Sequence, residues 1–308
     1  MSEGSRRVAV IDIGSNSTRL LVADVLDGRV TPVERRSTVT RLGRGVDLSG
    51  RLAAEAIEAA CAAVDPYVAT VQELGAEAVD AVATSAVRDA ENGSAFIAEL
   101  RERFALSARV LGGDEEARLT YLGATSEHSP EVPTLVIDIG GGSTEMVVGQ
   151  GRDAAWHSSL QAGVVRHTER HLVADPPRAV ELEALATDLR GLIETATREA
   201  PRAEAGIAVA GTPTSLAAIE MELDPYDPKL VHGHVLELRS IQRMLSRLAA
   251  VPLAERQEIR GLHADRAPTI LAGVVILVEA MRAFDLDQIT VSEHDILYGA
   301  AIALADSI

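Results

Sequence analysis

One motif occurs twice in this chain, and the repeat limits the folds open to it. Val10-Ile11-Asp12-Ile13-Gly14-Ser15-Asn16-Ser17-Thr18 returns in altered form as Val136-Ile137-Asp138-Ile139-Gly140-Gly141-Gly142-Ser143-Thr144. Each copy reads as an apolar run, an aspartate, small residues, hydroxyls and a further apolar stretch. The alternating flanks predict strands, and the small residues between them predict a tight hairpin turn. Such a turn bares several backbone N–H groups and forms a cradle for phosphate oxygens. The nearby aspartate is suited to hold Mg²⁺ directly or through water. Two copies predict two similar lobes closing on a phosphorylated ligand.

The 308 residues accommodate two domains of ordinary size. Only 3% of residues are aromatic against 47% hydrophobic, so the cores are built from Ala, Val, Leu and Ile. A net charge of −17 argues against a nucleic-acid footprint, which needs a basic face. It leaves room for a small polyanion met by Mg²⁺ and a few arginines. Lys229 is the only lysine. Arginine offers phosphate a planar fork, although a coding bias that also yields the many alanines accounts for this more simply. Cys61 is the only cysteine, so neither an intrachain disulfide nor a cysteine zinc cluster is open to the chain. A reducing, cytoplasmic setting is expected. The polar start from Met1 to Arg7 leads into a strand, and no signal peptide is expected. The apolar run Ile270 to Val278 is too short to span a bilayer and predicts a buried helix. No membrane partner is expected.

Along the chain, strands are predicted at Val8 to Ile13, Arg19 to Asp24 and Val30 to Val39. Ser49 is a candidate cap for a long helix from about Leu52 to Leu74, in which Pro66 predicts a kink or break. Asn92 is a candidate cap for a helix to Phe104, and Gly112-Gly113 leads into a helix over Asp114 to Ala124. The loop from Thr125 to Pro133 is the predicted boundary, giving domains 1–126 and 127–308. The strand pattern then restarts at Thr134. After Gly211-Thr212-Pro213-Thr214-Ser215, which opens a helix, the remainder is expected to be helical except for a strand near Gln288 to Val291.

The strongest chemical signal is the glycine run after Asp138, costly in a strand context unless the backbone bends sharply or meets a ligand. Glu115 and Glu116 open a helix, which helix-dipole chemistry alone accounts for. Arg88 leaves a buried strand at its carboxyl end, where ligands sit in α/β sheets, or is simply solvated. Gly211-Thr212 joins a strand to a helix N-terminus, an anion site or an ordinary first turn. His232-Gly233-His234, without a carboxylate partner in the pattern, reads as surface loop rather than metal site. No Ser-His-Asp arrangement is evident.

Taken in order, these residues resemble the exopolyphosphatase and guanosine pentaphosphate phosphohydrolase family (Ppx/GppA), within the wider sugar kinase, actin and chaperone-ATPase fold. The resemblance covers nearly the whole chain. It rests on Asp12 to Ser17, Arg41-Leu-Gly-Arg-Gly45, Ala83-Thr-Ser-Ala-Val-Arg88, Glu115-Glu-Ala-Arg-Leu119, Asp138 to Glu145, Gly163-Val-Val-Arg166, Gly211-Thr212, Asp265-Arg266-Ala267 and Val291-Ser-Glu-His-Asp-Ile-Leu297. It implies an α/β protein of two ribonuclease-H-like domains with the active site in the cleft between them. Glu116 is then the catalytic glutamate, and Asp138 and Glu145 are the metal carboxylates for Mg²⁺, or Mn²⁺ in its place. Phosphate contacts fall to Ser15, Asn16, Ser17, Arg88, Gly140, Gly141, Gly142, Ser143, Gly211, Thr212 and Arg266. Inorganic polyphosphate or guanosine pentaphosphate is the implied substrate, and a homodimer is expected. Many members carry Leu-Arg-Glu-Gly where this chain has Ile296-Leu297-Tyr298-Gly299, so any role of that Arg-Glu pair is absent or moved. Ending at Ile308, the chain resembles the short, two-domain form. An ATP-dependent kinase of the same superfold, and a catalytically weak polyphosphate or alarmone sensor, are the alternatives.

Overall fold

The computed structural model describes residues 4–127 and 129–308; the first three residues of the polar leader and His128 of the boundary loop lie outside them. The chain forms two compact units, Met1–His128 with His294–Ile308, and Ser129–Glu293.

In the first unit, β1 (Arg6–Ile13), β2 (Ser17–Leu26) and β3 (Arg29–Val39) form an antiparallel meander. A short α1 (Val46–Ser49) and a long α2 (Ala54–Leu74) lead to β4 (Ala78–Ala83). Then come α3 (Ser85–Asp89), α4 (Gly93–Phe104), β5 (Ala108–Val110) and α5 (Gly113–Ala124). The sheet order is β3-β2-β1-β4-β5, with β4 and β5 parallel to β1. This is the ribonuclease-H-like arrangement. Alternate residues of β1 enter opposite layers. Ala9, Ile11 and Ile13 pack with the apolar faces of α2 and α4, while Val8 and Val10 pack with Leu119 and the C-terminal helix. A strand buried on both faces needs an unbroken apolar run, which β1 has.

Pro66 leaves α2 continuous. Its ring removes one N–H from the ladder, but Ala62, whose carbonyl loses that donor, is exposed, so water takes its place. Ser49 does not cap α2, and Asn92 stands at the N-cap of α4, as expected, without a side-chain cap bond. Ser49 donates its hydroxyl to Gly45 O at 2.8 Å and lies before α2, while the Asn92 side chain grips both backbone groups of Leu52 at 2.8 and 3.0 Å.

The second unit repeats the plan. β6 (Thr134–Ile139), β7 (Thr144–Gln150) and β8 (Asp153–Leu160) form the meander, followed by α6 (Val164–His171) and α7 (Ala179–Ala196). Next are β9 (Ala205–Val209), α8 (Gly211–Glu220), α9 (Pro228–Val231), β10 (Val235–Glu237), α10 (Leu238–Ala249) and α11 (Leu253–Arg256). Last are α12 (Ile270–Ala283) and β11 (Gln288–Val291). The sheet order is β10-β11-β9-β6-β7-β8, the same arrangement with β10 added antiparallel at the edge. The run Ile270 to Val278 is the buried helix expected of it, lying in α12.

The final helix, α13 (Ile296–Ser307), corrects the domain division at 126/127: it belongs to the first unit. The reason is steric. A Cβ at Gly299 would stand 1.8 Å from Leu119 O, and one at Gly123 would stand 1.9 Å from Asp295 O. α5 and α13 therefore touch backbone to backbone through two glycines. Among the described residues no helix is long and apolar enough to cross a membrane.

Candidate active site

In the first unit the register aligns the carboxyl ends of three parallel strands, with Ile13 opposite Ala83 and Ala83 opposite Val110. The loops that leave those ends carry the predicted residues, as expected for an α/β sheet. At the first loop Gly14 N–H donates to Ser17 O at 3.0 Å, and a Cβ at Gly14 would crowd that carbonyl at 2.9 Å. The loop's carbonyls are held from one side. Thr40 and Arg41 N–H donate to Asn16 O, and Gly43 N–H donates to Ser15 O at 2.7 Å. The Ser15 hydroxyl is buried, accepts from Ala86 N–H at 3.1 Å and shares a bond with the Ser85 hydroxyl at 2.9 Å. It anchors the loop, so Ser15 meets a ligand only through its amide. Asn16 and Ser17 are partly exposed.

Glu116, in the first turn of α5, is 7% exposed. Arg88 Nη1 donates to its Oε2 at 2.9 Å and to Leu111 O at 2.9 Å. Burial drives the Glu116 carboxyl up to about 7, with Arg88 pulling the other way and Asp12 adding to the rise. Asp12 is also buried. Arg19 donates to its Oδ2 through Nε at 2.9 Å and Nη2 at 2.6 Å, and reaches Asp295 with Nη1. Burial raises the Asp12 carboxyl despite Arg19, whereas at Asp295 the arginines Arg19 and Arg35 outweigh burial and hold it low. Asp12 Oδ1 is buried with no hydrogen-bond partner.

The second unit is built alike. Gly140 N–H donates to Ser143 O at 3.0 Å, the same turn as in the first loop. Here the carbonyls are held by α6: Val164 N–H donates to Gly140 O, Val165 N–H to Gly141 O, and Arg166 Nε to Gly142 O at 2.9 Å. Gly140 supplies the one loop amide engaged in these bonds, and backbone amides in such a turn suit phosphate oxygens. The strand register sets Asp138 directly across from Glu145, just as Asp12 sits across from Arg19. Asp138 and Glu145 are 7% and 1% exposed, and Ser159 donates to Glu145 Oε1 at 2.8 Å. Two hard carboxylates and a hydroxyl at the rim of one hairpin suit a divalent cation with oxygen ligands.

At the turn from β9 into α8, Ala210 has φ +70° and ψ −167°, a region essentially reserved for glycine and costing about 1–3 kcal/mol. The next residue, Gly211, lies under Arg266: a Cβ there would fall 1.3 Å from Arg266 Nη1 and displace that guanidinium. The structure thus brings Gly211 and Arg266 together. Thr212, buried in the first turn of α8, turns its side chain toward Gly273 of α12. His232 and His234 have separate partners: His232 Nδ1 accepts from Glu293 N–H at 3.1 Å, and His234 lies 2.7 Å from Glu220 Oε2. Sequence reasoning missed Arg19, Asp295 and Ala210. Aligning the two copies of the motif one residue further sets Arg19 against Glu145 and signals the first of these.

Comparisons with known proteins place the chain in a family. Exopolyphosphatase 2 of Mycobacterium tuberculosis is 38% identical, across 97% of this chain and 98% of its own. A guanosine-5'-triphosphate,3'-diphosphate pyrophosphatase of Vibrio atlanticus is 28% identical across 97% of this chain and 59% of its own. The crystal structure of the Aquifex aeolicus member of the Ppx/GppA family superposes with a TM-score of 0.85 at 33% identity, covering 98% of both chains. The family model of the Ppx/GppA phosphatases matches residues 21–301, and the chain belongs to that family.

Proposed function

We propose that this protein is a divalent-metal-dependent phosphohydrolase that releases terminal orthophosphate from inorganic polyphosphate, short chains foremost, and also acts on guanosine pentaphosphate. The observation that carries this reading is Glu116: a buried carboxylate, gripped by an arginine and titrating near 7, in the loop-to-helix turn beside the first glycine loop. A general base works best when its pKa lies near the working pH. In the deprotonated state Glu116 accepts a proton from the attacking water through an Oε. Arg88 uses Nη1 to fix that carboxylate, leaving Nη2 for a phosphate oxygen. In the first unit the amides of Asn16 and Ser17 are the backbone donors for phosphate, and in the second those of Gly141, Gly142 and Ser143. Arg266 adds charge beside Gly211. Asp138 and Glu145 would hold Mg²⁺, or Mn²⁺, which when bound offsets charge on the phosphate oxygens. The leaving group is itself a phosphate, so no strong general acid is needed. A cytoplasmic setting fits the one buried cysteine.

The sign of the pH dependence follows. The base is active when ionised, so kcat/KM for polyphosphate should fall as pH drops below about 7. Arg88 lowers the Glu116 pKa, so Arg88→Gln should move this acid limb to higher pH as well as reduce the rate. A pH–rate profile of both proteins checks this; a limb at the same pH in the variant contradicts the assigned role of Arg88.

Chain-length use gives the test of substrate handling. A processive enzyme needs an extended basic track, and each added phosphate contact strengthens binding. With a net charge of −17, and only Arg282 as a basic residue after Arg266, this chain offers no such track in its C-terminal part. Product chains should therefore dissociate between cuts. Electrophoresis of a long polyphosphate of uniform length should show a ladder of intermediates. Disappearance of full-length chains straight to orthophosphate would falsify distributive action, and absence of phosphate release from every substrate would overturn the hydrolase reading.

A further inference from the structure

Away from the glycine loops, α6 and α7 bring together three metal-binding side chains that the hydrolase reading does not use. His167 and His171 are four residues apart on α6 and share one face of it. Their rings stack at a centroid distance of 5.9 Å. Asp188, on the facing helix α7, has Oδ2 2.8 Å from His171 Nε2 and 3.7 Å from His167 Nε2. One ligand atom from each of the three lies within 4.8 Å of the others.

The decisive group is His167. It is fully buried, and neither ring nitrogen makes a well-formed hydrogen bond; the Gly163 carbonyl and, at 3.7 Å, Asp188 Oδ2 are the acceptors beside it. Leaving a buried polar group unsatisfied costs about 1–3 kcal/mol, and such groups in native folds call for an explanation such as an ion. The site also has an approach from solvent. A shallow groove of about 720 Å³, bordered by Val180, Glu183, Thr187 and Asp188, opens on it, and Asp188 and His171 retain some exposure.

We propose that His167, His171 and Asp188 form a binding site for a divalent transition-metal ion of the zinc class, with water from the groove as the fourth ligand. Two imidazoles and one carboxylate match that class, which forms bonds of about 2.0–2.2 Å to nitrogen and oxygen. The hard, all-oxygen pair Asp138 and Glu145 prefers Mg²⁺ instead. Closing the three ligands onto one ion requires a shift of roughly an ångström or two at the half-buried Asp188 and at His171. Arg170, whose Nη1 is 3.8 Å from Asp188 Oδ2, is 41% exposed and swings to solvent when a cation arrives. An occupied site joins α6 to α7. Because the first turn of α6 holds the carbonyls of Gly140 and Gly141, it also stiffens the support of the second glycine loop. The proposal is independent of the hydrolase reading, since its readout is metal binding and not turnover.

The test titrates Zn²⁺ calorimetrically, and Co²⁺ by its visible absorption, into chelator-stripped full-length protein. Asp138→Asn serves as background so that the other carboxylate site does not contribute. One ion per chain should bind, with an absorption intensity typical of four-coordinate Co²⁺ and a rise in thermal midpoint that grows with Zn²⁺ concentration. His171→Ala and Asp188→Asn should each weaken Zn²⁺ by more than the roughly 10–100-fold that loss of an outer-shell partner costs. Asp188 is surface-accessible, so its variant keeps the fold and the comparison stays decisive even where His171→Ala is destabilised. Unchanged Zn²⁺ affinity in Asp188→Asn and in a folded His171→Ala would overturn the proposal, as would no binding at all in the parent. In that case His171 and Asp188 form an ordinary ion pair beside an unsatisfied histidine.

Discussion

Glu116→Gln should lower orthophosphate release by about 10²- to 10⁴-fold while leaving polyphosphate binding nearly intact, the range expected for loss of a general base. The substitution keeps the shape of the side chain and one oxygen able to accept from Arg88 Nη1, the bond seen at 2.9 Å. What it removes is the basic oxygen. The buried position is what makes the effect large. At 7% exposure, water has little access from which to recruit a substitute base, and the nearby Asp12 is tied to Arg19 through Oδ2. Steady-state rates give the loss, and equilibrium binding of a non-hydrolysable polyphosphate analogue gives the affinity. Near wild-type turnover in the variant would sink the role assigned to Glu116. Loss of binding in step with turnover would instead make Glu116 a positioning residue for Arg88.

Removal of divalent metal should have an effect of similar size. Phosphate release should disappear in excess chelator and return with Mg²⁺ or Mn²⁺, because carboxylates and phosphate oxygens are hard ligands. Asp138→Ala should raise the Mg²⁺ concentration needed for half-maximal rate by at least an order of magnitude, or abolish turnover. Glu145 is 1% exposed and tied to Ser159, so with Asp138 gone it holds an ion alone at best. An Mg²⁺ titration of the two proteins decides. Full activity of the wild type in excess chelator rules out the metal-assisted scheme.

Much of the fold was legible because its strands obey local rules. Val8 to Ile11 and Leu135 to Ile137 are apolar on both faces, and each strand ends at a glycine turn after one aspartate, so both hairpins could be read directly. α12 was legible because a buried helix of Ala, Val, Leu and Ile leaves no doubt about where it lies. The misses have non-local causes. The return of α13 to the first unit depends on two glycines, Gly123 and Gly299, far apart in sequence and meeting only in space. β10 has three residues and is added at a sheet edge, below the length at which alternation is visible. Asn92 and Ser49 have the chemistry of caps, but closer backbone partners won their side chains. At the candidate site, the motif located the two glycine loops yet not which side chains turn inward. The hydroxyl of Ser15 and the side chain of Thr212 both turn into the protein, an orientation settled by packing against Ser85 and Gly273. Ala210 was invisible because alanine gives no hint of a left-handed backbone.

The cross-strand pairs Asp12–Arg19 and Asp138–Glu145 show how a duplicated hairpin has divided its labour. One copy carries its counter-ion as part of the polypeptide: permanent, covalent and indifferent to the surrounding medium. The other places a second carboxylate at the same position, where in the reading proposed above a divalent ion from solution would balance it. On that reading, the halves are no longer interchangeable, since only the second half responds to the supply of divalent ions. A single codon, arginine at 19 against glutamate at 145, then separates a structural brace from a point of environmental control.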